Sequence, residues 1–145
     1  MNDFFERNRE WAPFIIRVGL AIVFVLFGFQ KLSNPTQTTA EIQLLMDFLN
    51  LAAASAINFY LGLLELTIAL GLLIGIKTRL FGFLGAMLTG LFLASFLWKL
   101  GLSINPDLYR DVGLSAAALA LVFWGGGKWS WDEKKGKPTA TTPPQ

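Results

Sequence analysis

Four apolar runs, at about residues 13–31, 54–76, 80–98 and 106–125, leave this chain little choice of environment. Each is about 20 residues long, the length that crosses a hydrocarbon core of roughly 30 Å at about 1.5 Å per residue. A soluble helix of that size carries a polar face, whereas these runs are polar on no face, so the reading is an all-α integral membrane protein, a four-helix bundle. The only long connection follows the first run. Within it Ile42, Leu45, Phe48 and Leu49 recur at helical spacing among Glu41, Gln43 and Asp47, which predicts one short interfacial helix in the first external loop. The turn Lys77-Thr78-Arg79 is short enough to make the second and third runs antiparallel neighbours. Asn105-Pro106-Asp107 is a start signal for the fourth: a capping side chain, a proline at the first helical position and an acid at the positive end of the helix dipole. Residues 1–132 thus read as one four-span membrane domain. Residues 133–145 have no apolar side chain larger than alanine and read as a disordered cytoplasmic tail.

The basic residues orient the bundle. If both termini share a side, Arg7, Arg9, Lys77, Arg79, Lys128, Lys134, Lys135 and Lys137 collect there against Lys31, Lys99 and Arg110 on the other. Eight against three favours cytoplasmic termini for a multi-pass membrane protein. Trp11, Trp124, Trp129 and Trp131 then fall at the inner interface, and Trp98, Tyr60 and Tyr109 at the outer one. The net charge of +2 suits an anionic lipid surface, and no basic stripe with interleaved aromatics points to nucleic acid. A cleavable signal peptide over residues 1–32 is disfavoured, because the run ends in Gln30-Lys31-Leu32 and not in a small-x-small site. Cysteine and histidine are absent, which excludes thiolate chemistry, protein-ligated iron–sulfur clusters, His-ligated haem and the usual zinc or copper sites. No metal site is expected. Any redox step must run through a bound organic molecule or a partner subunit.

Arg17, Glu65 and Asp111 stand inside the apolar runs, where an ionised group costs roughly 2.5–3.5 kcal/mol at a helix centre unless it is paired or faces a polar cavity. Helical spacing puts Arg17, Ala21, Phe24, Gly28 and Lys31 on one face of the first run, Asn58, Gly62, Glu65 and Ala69 on one face of the second, and Asp111 with Ser115 on the fourth. The expectation is one polar seam, with an inner pair Arg17–Glu65 and an outer pair Lys31–Asp111, completed by Gln30 and Asn58. Such a seam fixes helix register, holds the polar head of a lipophilic ligand or passes protons. Gly82, Ala86, Gly90 and Ala94 recur every four residues and form a helix-packing stripe, within the bundle or toward a second copy.

Arg17-Val18-Gly19 followed by Phe27-Gly28-Phe29-Gln30-Lys31-Leu32, then Leu64-Glu65, Leu70-Gly71 and Gly75-Ile76-Lys77-Thr78-Arg79, resembles the DoxX family. Arg110-Asp111, Gly125-Gly126-Gly127 and Trp129-Ser130-Trp131-Asp132 look like that family's closing segment, so that the resemblance covers about residues 13–132. It implies a small four-helix bacterial membrane protein from a family named for association with thiosulfate:quinone oxidoreductase. The family's recurrent charged positions map onto Arg17, Lys31, Glu65 and Asp111, and Asp132 also matches. The function expected is a small membrane subunit of a quinone-linked oxidoreductase system, with Arg17, Gln30 and Lys31 as donors to a quinone oxygen and Glu65 and Asp111 as acceptors or proton relays. Two alternatives stand beside it: a non-catalytic accessory subunit docked on a larger membrane complex or on its own copy, and a small-molecule or proton transporter.

Overall fold

A computed structural model describes residues 8–9, 11–51, 55–101, 106–127 and 129–136. They form six helices: α1 (Trp11–Ser33), α2 (Pro35–Leu49), α3 (Ser55–Ile74), α4 (Thr78–Leu100), α5 (Pro106–Trp124) and α6 (Trp131–Gly136), with no strand among the described residues. Three of them, α1, α3 and α4, are long and apolar enough to cross a membrane, which makes this a multi-pass membrane protein.

The helix limits follow local chemistry. Pro13 lies in the first turn of α1, where its missing N–H has no partner to lose. The loop after α1 is almost wholly helical, since α2 has 15 residues and only Asn34 separates it from α1. Its buried face is Thr38, Ile42, Leu45 and Met46. The expected stripe through Phe48 and Leu49 fades, Phe48 being half-buried and Leu49 exposed, because the helix ends there on Asn50 in the left-handed region at φ 54°. Pro106 and Asp107 open α5 as expected, while the capping role read for Asn105 lies outside the described residues. The tail expected to be disordered from 133 is instead helical to Gly136, where α6 is tied to the bundle, and residues 137–145 lie outside the described ones.

The bundle is two antiparallel helix pairs, α1 on α3 and α4 on α5, joined by the tight turn between α3 and α4, with α2 laid across one end. The α1–α3 crossing is closest at two glycines: a Cβ on Gly28 would sit 2.8 Å from the Gly62 carbonyl, and one on Gly62 would sit 3.1 Å from that of Gly28. The expected packing stripe of α4 divides. A Cβ on Gly82 would sit 3.1 Å from the Ala118 carbonyl of α5 and Ala86 is buried, but a Cβ on Gly90 would meet nothing within 4 Å among the described residues and Ala94 is only half-buried. Between the two ends lies an apolar plug of Leu20, Phe24, Ile68, Leu72 and Leu121, each 3% exposed or less.

Candidate functional site: a charged cluster beneath α2

At the end covered by α2, the Lys31 ammonium donates to Glu65 Oε1 at 2.8 Å, with both side chains almost fully buried. Phe27 and Phe92 lie 5.5 and 5.6 Å from the ammonium and shield it with their rings. Beside this pair Arg110 donates from Nε to Asp111 at 3.0 Å and from Nη1 to Asp107 at 2.9 Å, with its guanidinium 4.7 Å from the centre of the Phe27 ring. Glu41 completes the cluster from α2. These groups, with Gln30 on an exposed rim and Thr89, enclose a cavity of about 30 Å³. Glu65 Oε2 is buried there and accepts no hydrogen bond. Below the cavity Thr89 and Ser115 share a hydroxyl hydrogen bond of 2.8 Å between α4 and α5.

The covering helix is fastened by Asn58. Its Oδ1 accepts from the Thr38 hydroxyl at 3.0 Å, and its amide donates to the carbonyls of Pro35 at 3.2 Å and Lys31 at 3.4 Å. Asn58 is therefore a bracket for the α1–α2 joint, not a wall of the cavity. Burial pushes the Glu41 carboxyl above the ordinary glutamate range, and Arg110 and Lys31 pull it back only in part.

The pairing differs from the sequence expectation, and the reason is directional. Helical side chains lean toward the N-terminus of their own helix. In the antiparallel α1 and α3, Lys31 leans down from the α2 end and Glu65 leans up toward it, so they meet. Arg17 leans the other way, out of the reach of Glu65. Asp111 takes Arg110 as its partner instead of Lys31, because Lys31 is already held by Glu65. Arg110 and Glu41 were not selected from sequence as site residues; Arg110 read as an external interface charge and Glu41 as the polar face of a surface helix.

Arg17 is buried at the opposite end, where it donates from Nη1 to the Gly126 carbonyl at 3.0 Å and from Nη2 to that of Trp129 at 3.2 Å. Gly75, at φ 76°, leaves room for the guanidinium that any Cβ there would strike. Asp132 finishes this latch. Its two carboxylate oxygens accept from the backbone N–H groups of Lys77 and Thr78, both at 2.7 Å, while its own N–H donates to the Gly75 carbonyl at 3.2 Å. Burial alone raises the Asp132 carboxyl, but the N–H groups of Thr78 and Lys77 and the Arg17 charge bring it below the ordinary aspartate range. Asp132 thus caps α4 from 54 residues away. The sequence signal was negative: Lys77 has no side-chain acceptor with which to cap that helix.

The single polar seam expected from sequence is consequently two separate sites with the apolar plug between them. The sequence pattern of the DoxX family matches residues 12–102, well over half of the chain. The chain belongs to the DoxX family. No curated protein and no solved structure gives a match. The DoxX match holds Arg17, Lys31, Glu41 and Glu65, and it ends before α5, so Arg110, Asp111 and Asp132 come from the part of this DoxX protein that lies beyond it. Chemically, the cluster of this DoxX protein sets two cations, Lys31 and Arg110, against four carboxyls, Glu41, Glu65, Asp107 and Asp111. A cavity of about 30 Å³ is the size of one water. An aromatic ring as small as benzene occupies a cavity of about 150 Å³, so a quinone ring does not fit among these residues.

Proposed function

We propose that this DoxX protein is a four-span subunit of a bacterial inner membrane that handles protons at its α2 end on behalf of a quinone-linked oxidoreductase partner. The observation that carries the reading is the buried, unpartnered Glu65 Oε2 on a water-sized cavity, beside a half-buried Glu41 carboxyl whose pKa burial raises. A water in that cavity would give Oε2 its missing donor and link Glu65 to Glu41. Arg110 engages Asp107 and Asp111, which leaves Glu41 and Glu65 as the couple that shares the cavity. The plug of Leu20, Phe24, Ile68 and Leu72 has no group that passes a proton, so the relay serves one face only, and this disfavours the transporter reading. The quinone chemistry is assigned to the partner. The antiparallel packing of α5 on α4 supports a fourth span: its 19 residues reach about 28 Å, and its charges Asp107, Arg110 and Asp111 pair with one another near the α2 end. The excess of basic residues at the other end favours a cytoplasmic side for it, with α2 in the outer interface.

The test is infrared difference spectroscopy of the protein in lipid nanodiscs between acid and alkaline pH. A buried carboxyl C=O band that shifts in heavy water is expected, lost in Glu41→Gln and displaced in Glu65→Gln. A wild-type spectrum without any titrating buried carboxyl sinks the relay. The accessory reading is favoured by Gly90, where an added Cβ would meet nothing within 4 Å among the described residues. If docking through Gly90 is the whole function, Gly90→Leu abolishes complex assembly while Glu65→Gln leaves complex turnover unchanged.

A further inference from the structure

The latch end holds a second and far larger cavity, about 730 Å³, that neither the proton reading nor the packing of the bundle uses. Its wall carries Lys77, Arg79, Trp124, Gly125, Asp132 and Glu133. Arg79 is exposed and lies against Gly125, where even a Cβ would come within 3.5 Å of its Nε. No hydrogen bond or ion pair engages the guanidinium of Arg79 or the ammonium of Lys77 among the described residues. Of the two acids, Asp132 already has both oxygens on the N–H groups of Lys77 and Thr78. Glu133 differs, since its Oε2 is shielded from solvent and accepts no hydrogen bond. The cavity wall therefore carries two unengaged cations and, in Glu133, one carboxylate with no hydrogen bond or ion pair among the described residues. Its depth in a bilayer is marked by Trp11, Trp124, Trp129 and Trp131, all about half exposed at the same end of the bundle, with Trp11 and Trp129 in ring contact at 5.6 Å. Such rings sit at headgroup level.

We infer that this cavity binds the headgroup of an aminophospholipid, with the phosphate diester on Arg79 and Lys77 and the primary ammonium on Glu133. A guanidinium suits a phosphate because its planar fork gives two parallel donors, and the lysine adds a point charge. Glu133 supplies the selectivity: an acid beside the phosphate site favours a lipid that brings its own cation and repels one that brings only negative charge. The same chemistry is present in a soluble phosphoamine. The tryptophan belt selects the lipid, because it puts the opening where headgroups lie and acyl chains have apolar helix surface to follow.

Native mass spectrometry of the full chain, released from nanodiscs of phosphatidylethanolamine and phosphatidylglycerol in equal amounts, reads occupancy directly. Wild type is expected to retain phosphatidylethanolamine preferentially. Arg79→Gln should cut retention of both lipids by about tenfold, the effect of losing one charge-assisted contact, and Glu133→Gln should erase the preference while keeping the phosphate contact. Both side chains are free of internal partners at the altered groups, and circular dichroism melting of each variant checks that the fold is kept. Equal retention of the two lipids by wild type, or unchanged retention in Arg79→Gln, overturns the proposal. Displacement of the lipid by glycerophosphoethanolamine at equal concentration also overturns it, since the site would then belong to a soluble ligand.

Discussion

At the latch end a buried arginine gives its protons to two backbone carbonyls and an aspartate accepts from two backbone N–H groups, whereas beneath α2 lysine, arginine and four carboxyls deal mainly with one another. Backbone partners cannot titrate. They hold one geometry over the working pH range, and the latch uses them to tie the segment after α5 to the α3–α4 turn. Side-chain partners can exchange protons, and the cluster keeps an acceptor without a donor beside a space for one water. Each end buries a charge almost completely, Arg17 at one and Lys31 with Glu65 at the other, so burial alone does not tell a structural charge from a working one. The identity of the partner does.

The sharpest way to break this comparison is to remove one member of the Lys31–Glu65 ion pair, the only fully buried one among the described residues. Lys31→Met leaves Glu65 charged, buried and alone, and is expected to cost roughly 3–5 kcal/mol in unfolding measured in mixed detergent micelles. Adding Glu65→Gln should recover at least half of that loss, because no lone charge remains. If the double variant is no more stable than Lys31→Met, the two groups are not energetically coupled.

The latch predicts a smaller effect with a different pH signature. Asp132→Ala removes the cap of α4 and should cost about 1 kcal/mol. The folded-state carboxyl lies below its unfolded value, so the contribution is fully present above the ordinary aspartate range and is lost as pH falls through the lower folded value. Asp132→Asn keeps one of the two acceptors without titrating, and should flatten the acid limb of a melting curve followed by tryptophan fluorescence, at some loss of stability from the second, unaccepted N–H. An acid limb unchanged in that variant would assign the loss to another group.

Sequence made the membrane helices and the buried charges legible, because a 20-residue apolar run and an ion inside it are local facts. Lys31, Glu65 and Asp111 were all found as parts of a polar site. Their partners were not, since pairing depends on which way each helix runs and therefore on which way its side chains lean. Arg17 was assigned to Glu65 for that reason, although its lean carries it to Gly126 and Trp129. The Gly28–Gly62 crossing was likewise passed over in favour of a more regular stripe through Gly90, since periodicity on one helix does not say which small residue faces a neighbour. Asp132 showed only as a match to the family's closing segment, with no role attached, because a cap that spans 54 residues leaves no local pattern.

Glu41 gives the smallest effect and the finest distinction between the two ends. Burial holds its folded-state carboxyl above the unfolded value. Below the ordinary glutamate range both states are protonated and Glu41 contributes nothing. As pH rises through that range the unfolded chain ionises while the folded protein keeps its proton, so the stability contributed by this group falls, and the fall ends above the raised folded value. Glu41→Gln is expected to change stability by no more than about 0.5 kcal/mol at acid pH, where wild type is neutral too. Toward neutral pH it should become the more stable of the two, with the gap closing on no other titration. The difference between the two melting curves isolates Glu41 from Asp132, whose contribution is common to both. A wild type that instead gains stability over Glu41→Gln as pH rises would mean that Glu41 ionises early against Arg110 and Lys31. The α2 end would then be a plain ion-pair network, held by charge as the latch is held by backbone, with no proton to pass.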